Sequence, residues 1–234
     1  MALILYEMAK KTDRTEEQLA AVEETLSKTE QWIENNQSQL LTFVFAIVVI
    51  IAIYIGYQKF YLEPLNNEAL GEMFMAEKHF ANDSYDIALN GDGQYLGFLD
   101  IINSYNSTEA GNLAQYYTGI CYLKQADYEN AIEHLSEFKA EDEMVSSIAL
   151  GSIGDAYWEL GDINNAIDFF EQAGYNSNNG YTGATYLMRA ALAHESQNTY
   201  GEAINIYNFI KDNYPETQEG QEIEKYITKA SLMQ

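Results

Sequence analysis

The sequence predicts an all-α protein: one N-terminal transmembrane helix, then a solenoid of about four antiparallel helix pairs, then a C-terminal capping helix. Three observations predict it. An apolar run without a single charge spans Leu40 to Tyr57. A pattern of small and aromatic residues recurs further on at offsets of 35 and 37 residues. Only two prolines, Pro64 and Pro215, interrupt the chain, and no segment shows the strict alternation of a half-buried strand.

Charge narrows the function classes. The chain carries 36 acidic and 12 basic side chains in 234 residues, a net charge of -24. Phosphate recognition needs a basic surface, so no nucleic-acid partner is expected. Broad adhesion of the main domain to anionic lipid is disfavoured for the same reason. Two readings of the acidity stay open, a well-solvated surface and steering toward a basic partner. A lone cysteine, Cys121, allows neither an internal disulfide nor a cysteine-based metal site, and suits cytoplasm or periplasm equally.

The expected organisation is an N-terminal tail with an amphipathic helix (1–38), the transmembrane helix (39–58), a linker (59–66) and the repeat domain (67–234). Met1 to Met8 is expected to be flexible. Thr15 to Asn36 reads as a helix, with Thr15 as N-cap and Glu16 and Glu17 at the positive end of the helix dipole. Its broken stripe of Leu19, Val22, Leu26, Trp32 and Ile33 suits either a membrane surface or a partner.

Asn35 to Gln58 contains no charged residue, and the 18 residues from Leu40 to Tyr57 give a helix of about 27 Å, close to the bilayer hydrocarbon thickness. In lipid only a helix satisfies its own backbone within one segment. Tyr54, Tyr57 and Tyr61 beyond it, and Trp32 before it, are expected interfacial anchors. The preceding stretch is too long and too acidic for a signal peptide, and no small-x-small site follows, so the segment is expected to stay uncleaved. Lys10, Lys11, Arg14 and Lys28 on the N-terminal side outnumber Lys59 and Lys78 beyond the span, which leans the N-terminus toward the cytoplasm.

Three segments align in the remainder. Gly119 precedes Tyr122, and Ala131 is followed by Leu135; Gly154 precedes Tyr157, and Ala166 is followed by Phe170; Ala191 precedes His194, Ala203 is followed by Tyr207, and Pro215 closes the unit. This resembles the tetratricopeptide repeat, a helix pair with small residues where its two helices cross most closely. Asp127 and Asp162 are placed as N-caps of the second helices, and Gly161 at the preceding helix exit. A degenerate unit comes first. Asn67–Phe80 forms one helix with Leu70, Met73, Phe74 and Phe80 available for burial, Leu96–Tyr105 forms another, and a turn-rich insertion at Leu89–Gln94 divides them. Tyr105-Asn106-Ser107-Thr108 mirrors Tyr214-Pro215-Glu216-Thr217, and Gln221–Leu232 is expected to cap the array.

The sequence carries no phosphate loop, nucleophile elbow or dinucleotide fingerprint. Asp86, Asn90 and Asp92 surround glycines, but a calcium loop would need an oxygen ligand at Ala88 and a carboxylate at Gly97. His79, His134 and His194 are dispersed among different units and read as helix-surface or inter-helix residues, not metal ligands. Cys121 reads as buried and inert, and Glu141-Asp142-Glu143 as solvated charge. No catalytic, cofactor or metal site is expected. A protein-binding groove on the first helices remains, with Leu113, Tyr116, Ile120 and Lys124 from one unit, Ile148, Asp155, Trp158 and Glu159 from the next, and Met188, Leu192 and Glu195 from the third. Trp158 suits a peptide anchor or packing against a neighbouring repeat.

The order of parts is similar to that of the membrane-anchored tetratricopeptide proteins of Bacteroidota. More distantly it resembles the YfgM-like ancillary subunits of the bacterial Sec translocon. The segment Gly97-Phe98-Leu99-Asp100-Ile101-Ile102 through Gly111-Asn112-Leu113-Ala114 to Gly119 carries this likeness most specifically. The resemblance implies a single-pass protein of the inner (cytoplasmic) membrane with a cytoplasmic N-terminus and periplasmic repeats. As partners it implies Sec translocon subunits, a periplasmic chaperone of the peptidyl-prolyl isomerase type and unfolded exported proteins. Scaffolding of another cell-envelope or secretion complex is the alternative.

Overall fold

A computed structural model describes the backbone of residues 2–177 and 179–234, with side chains described from Glu30 onward. Among these residues there is no strand. The chain divides into two compact units, Met1–Tyr61 and Leu62–Gln234.

The first unit is the helix α1, Ala2–Tyr57, followed by a π-helical turn at Gln58–Leu62. No proline or glycine occurs before Gly56, so nothing breaks the helix. The expected flexible opening is therefore helical from Ala2, and Thr15 lies inside the helix instead of capping it. The side chains of Leu19, Val22 and Leu26 fall outside the described residues, as does Met1 altogether; Trp32 and Ile33 are exposed. The π-helical turn has a local cause. Pro64 lacks an amide hydrogen and its ring crowds the carbonyl of Phe60, which widens the preceding turn. Within Glu30–Ala81 lies a helical stretch long and apolar enough to span a membrane, none of whose most apolar window is buried. Phe43, Phe45, Ile50 and Ile53 are each at least 65% exposed. At roughly 25 cal/mol per Å2, a face like this is costly in water and stable in lipid.

The second unit is built of α2 (Glu63–Ala81), α3 (Tyr85–Asn90), α4 (Phe98–Tyr105), α5 (Glu109–Lys124), α6 (Tyr128–Glu137), α7 (Glu143–Glu159), α8 (Ile163–Tyr175), α9 (Gly180–Ser196), α10 (Tyr200–Asn213) and α11 (Gln218–Met233). Four first helices, α2, α5, α7 and α9, end in one hydrogen-bonded motif. The amide of Asp127 donates to the Tyr122 carbonyl (2.9 Å) and that of Ala126 to Leu123 (3.2 Å). Asp162 and Gly161 repeat this on Tyr157 and Trp158, Thr199 and Asn198 on His194 and Glu195, and Ser84 and Asp83 on His79 and Phe80. The residue at each turn is left-handed: Asp83 (φ 56°), Ala126 (60°), Gly161 (79°) and Asn198 (61°). Asp127 and Asp162 then cap α6 and α8, accepting from Asn130 (3.4 Å) and Asn165 (3.3 Å). α10 has no such side-chain cap, because the Thr199 hydroxyl donates back to the His194 carbonyl (2.9 Å).

The first pair is less degenerate than its sequence suggests. Ala76, His79 and Ala88 occupy the slots of Gly119, Tyr122 and Ala131, and both alanines are almost wholly buried. Its second helix breaks after Asn90, at Gly91 (φ 77°), and resumes as α4. The expected turn-rich insertion is this break, preceded by the short helix α3. Met73 is fully buried and Phe80 packs on the core, but Leu70 and Phe74 are exposed, on the side of α2 that no preceding repeat covers.

Close crossing of paired helices explains the small residues. A Cβ on Gly119 would lie 2.5 Å from Leu135, and one on Gly154 2.6 Å from the Phe170 ring. The core runs as three clusters: around Met73, Phe98 and Ile101; around Leu135 and Ile153; and around Phe170, Leu187, Tyr207 and Ile223. The first helices α5, α7, α9 and α11 are capped by Thr108, Asp142, Asn179 and Thr217. In α5 and α11 the motif coincides in detail. The Thr108 hydroxyl donates to the Tyr105 carbonyl (2.7 Å) and accepts from Gly111 (3.0 Å), as Thr217 does with Tyr214 (2.9 Å) and Gly220 (3.1 Å). On α11, Glu224, Thr228 and Ser231 are exposed where a further second helix would pack, which makes it a polar cap.

Candidate functional site

The first helices α5, α7, α9 and α11 lie side by side in turn, and side-chain pairs 34 residues apart join α7 to α9 and α9 to α11. Arg189 of α9 forms an ion pair with Asp155 of α7. Lys229 of α11 reaches Glu195 of α9 (2.6 Å), and the Thr185 hydroxyl donates to Glu219 (2.9 Å). Trp158 and Leu192 are likewise 34 residues apart, one turn beyond Asp155 and Arg189 on the same two helices, and both are 39% exposed. This pair is an apolar step on the helix faces just beyond the Asp155–Arg189 bridge.

The other expected groove residues divide. Leu113 packs into the N-terminal core, Tyr116 and Ile120 onto the Leu135–Ile153 cluster, and Met188 onto the C-terminal core. Tyr116 also meets Phe138 (5.3 Å between ring centroids). These four hold neighbouring helices together more than they present a surface. Glu195 is also largely committed: besides Lys229 it accepts from the Tyr207 hydroxyl (2.9 Å), and its side chain is 10% exposed. Ile148 is half-buried, whereas Lys124 and Glu159 are exposed. Of the residues expected from the sequence, the structure thus brings Asp155, Trp158 and Leu192 together on one surface, with Glu159 adjoining.

Two residues of this surface escaped the sequence reading. Tyr186 lies directly over Gly151, where a Cβ would fall 1.9 Å from its ring, so the missing side chain of α7 is the seat of a ring from α9. Arg189 spreads over Tyr186 (5.5 Å to the centroid) and Phe170 (6.0 Å), which fixes its guanidinium for Asp155. Burial pushes the Tyr186 hydroxyl up to about 12. A signal existed, since Asp155 and Arg189 are one facing interval apart, but it needs the helix register to be known.

Elsewhere polar groups have structural tasks. Asp92 accepts from the amides of Gln94 (2.9 Å) and Tyr95 (2.8 Å), which hold its carboxyl below the usual range and make it a turn residue. His134 hydrogen-bonds Gln115 (2.6 Å) and stacks on Tyr122, and burial lowers its pKa. His194 bridges Glu171 (3.1 Å) and Thr199 (2.9 Å). Burial raises the Cys121 thiol to about 12, far from a reactive thiolate. A cleft of about 720 Å3 beside α4 and α5 is lined by Asn106, Asn112, Gln115 and Glu137. Asn112 there clamps the Lys139 backbone from both sides (2.8 and 2.9 Å). Among the described residues no three His, Cys, Asp or Glu side chains gather as a metal would need.

The tetratricopeptide-repeat family matches residues 113–142 and 148–173. Those two segments carry the tetratricopeptide-repeat pattern. The chain's fold is similar to a putative kinesin light chain of Podosopora anserina with nearly identical repeats of this kind, and to a point variant of the same protein. Each likeness has a TM-score of 0.53 at 12% identity, over 72% of this chain and 87% of that one. At that identity the likeness is one of fold alone. No curated protein matches the chain. The two matched segments coincide with α5–α6 and α7–α8, the pairs whose glycines, caps and left-handed turns follow the pattern most closely.

Proposed function

We propose that this protein is a membrane-anchored, non-catalytic tetratricopeptide adaptor. Its α1 would serve as the single span, and the face formed by α5, α7 and α9 would receive a partner protein. The observation that carries the reading is the exposed Trp158–Leu192 step, an apolar surface on a repeat type that works in protein–protein interaction. The fully exposed apolar stretch of α1 supports the anchor. By resemblance, the adaptor is a YfgM-like ancillary subunit of the Sec translocon. Its repeats would lie on the periplasmic side of a bacterial inner membrane, assisting exported proteins beside a peptidyl-prolyl isomerase-type chaperone.

Co-purification of the full chain in mild detergent tests this assignment. Recovery of Sec channel subunits supports it. Stoichiometric recovery of another envelope assembly without Sec would overturn the translocon role and leave a scaffold for that assembly. Cysteine labelling of residues introduced into the repeats, from outside intact inner-membrane vesicles of known orientation, tests which side they occupy.

A further inference from the structure

Three features of the inner face bear on the charge of its occupant. First, Trp158 and Leu192 are each 39% exposed, and an indole π face attracts a cation more strongly than any other aromatic side chain. Second, Trp158 sits in the C-terminal turn of α7, where the aligned peptide dipoles leave partial negative charge. No basic residue occupies the last turn of α7, and Glu159 follows Trp158 directly. Third, the repeat unit from Leu62 onward holds 28 Asp and Glu against 7 Lys and Arg. Four of those cations, Arg189, Lys211, Lys225 and Lys229, are already paired with carboxylates of the unit itself. The unit as a whole is therefore strongly acidic, which favours a cationic partner over an acidic one.

We propose that the Trp158–Leu192 step receives a cationic, extended segment of a partner protein. A Lys or Arg of that segment lies over the Trp158 ring near Glu159, and an aliphatic or aromatic side chain packs on Leu192. The Asp155–Arg189 bridge borders the site and occupies the neighbouring carboxylate, which leaves Glu159 and the end of α7 as the cation's counter-charge. An acidic segment would meet repulsion from the same groups, and an uncharged one would gain only the apolar contact. This inference rests on the adaptor reading above and adds the chemistry of the partner to it.

The test uses the full chain in detergent micelles. The chain has two tryptophans, so Trp32→Phe leaves Trp158 as the single indole reporter. Three labelled peptides with one shared Leu pattern are titrated, their remaining positions Lys, Glu or Ser. The expected result is that the Lys peptide binds most tightly and changes Trp158 emission, with affinity falling about tenfold from 50 to 500 mM salt as the charges are screened. Fluorescence anisotropy should show Trp158→Ala and Glu159→Lys each weakening it by about fivefold or more, with unchanged circular dichroism. Equal binding of the Ser or Glu peptide would overturn the charge assignment; if that binding still depends on Trp158, the adaptor reading stands. Lys-peptide binding indifferent to Trp158→Ala would also overturn the proposal, as diffuse attraction to an acidic surface. If none of the peptides binds while an envelope complex co-purifies, the proposal fails and the adaptor reading survives through another surface.

Discussion

Asp155 of α7 and Arg189 of α9 are joined across neighbouring first helices, and the arginine is held in place by the rings of Tyr186 and Phe170 beneath it. The bond links adjacent repeats directly, without the second helix between them. Its two side chains are 37% and 44% exposed, so solvent screens much of the Coulomb term.

Removing the charge and removing the packing should therefore have unequal effects. Asp155→Asn is expected to cost less than about 1 kcal/mol of unfolding free energy, falling further in high salt. Arg189→Ala also loses the contacts over two rings and should cost about 1–2 kcal/mol. Urea denaturation of the two variants and their double mutant checks the order; an equal loss from both would show that charge alone matters.

Gly151 is the narrowest point of this surface. A Cβ there cannot coexist with the present Tyr186 ring. Gly151→Ala is expected to destabilise by about 1–3 kcal/mol despite the better helix propensity of alanine. Combining it with Tyr186→Leu should cost less than the two single losses added together, since the shorter side chain vacates the slot. Strict additivity in thermal melts would contradict the packing described.

Ala126 holds a left-handed turn (φ 60°) that Gly161 makes without strain in the next repeat. Left-handed backbone costs an alanine roughly 1–2 kcal/mol, part of which glycine returns as unfolded-state entropy. Ala126→Gly should raise stability by about 0.5–1 kcal/mol, while Gly161→Ala should lower it by a similar amount. Opposite signs in paired denaturation curves are the expected signature.

Alkaline pH should destabilise the repeat unit once it passes the ordinary tyrosine value of 10.0. Burial raises Tyr186 from its ordinary 10.0 to about 12, and Tyr207 is raised too, by burial and by its bond to Glu195. Below pH 10 both folded and unfolded chains keep these protons, and the full stability is present. Between pH 10 and about 12 the unfolded chain releases them first, so stability falls as pH rises. Tyr186→Phe should flatten that slope in stability measured from pH 9 to 12, and an unchanged slope would remove Tyr186 as its source.

Much of this architecture is legible in the residues because it depends on local rules. Gly119 and Gly154 announce helix crossings, Asp127 and Asp162 announce caps, and the uncharged run of α1 announces itself by length. The first pair hid its membership for a physical reason. Ala76, His79 and Ala88 keep the spacing, but Gly91 breaks the helix before the slot filled elsewhere by Leu135, Phe170 and Tyr207, so Asp92 appears there instead. The inner face was harder still. Glu195 and Met188 point the right way by repeat position, yet whether such a residue is spent on its neighbours depends on the offset between adjacent helices. That offset is set by tertiary packing, and it alone shows that Arg189 answers Asp155. Leu70 and Phe74 carry an apolar helical pattern like that of a core stripe, and only the absence of a preceding repeat leaves them uncovered.

The matching threonine caps of α5 and α11 have a consequence for how such an array can change. Tyr105, Thr108 and Gly111 form the same joint as Tyr214, Thr217 and Gly220, so the block between them begins and finishes on interchangeable seams. Tandem duplication of residues 108–216 would create a new seam already native to the chain. The array is therefore open to growth by recombination in whole blocks, without inventing a junction.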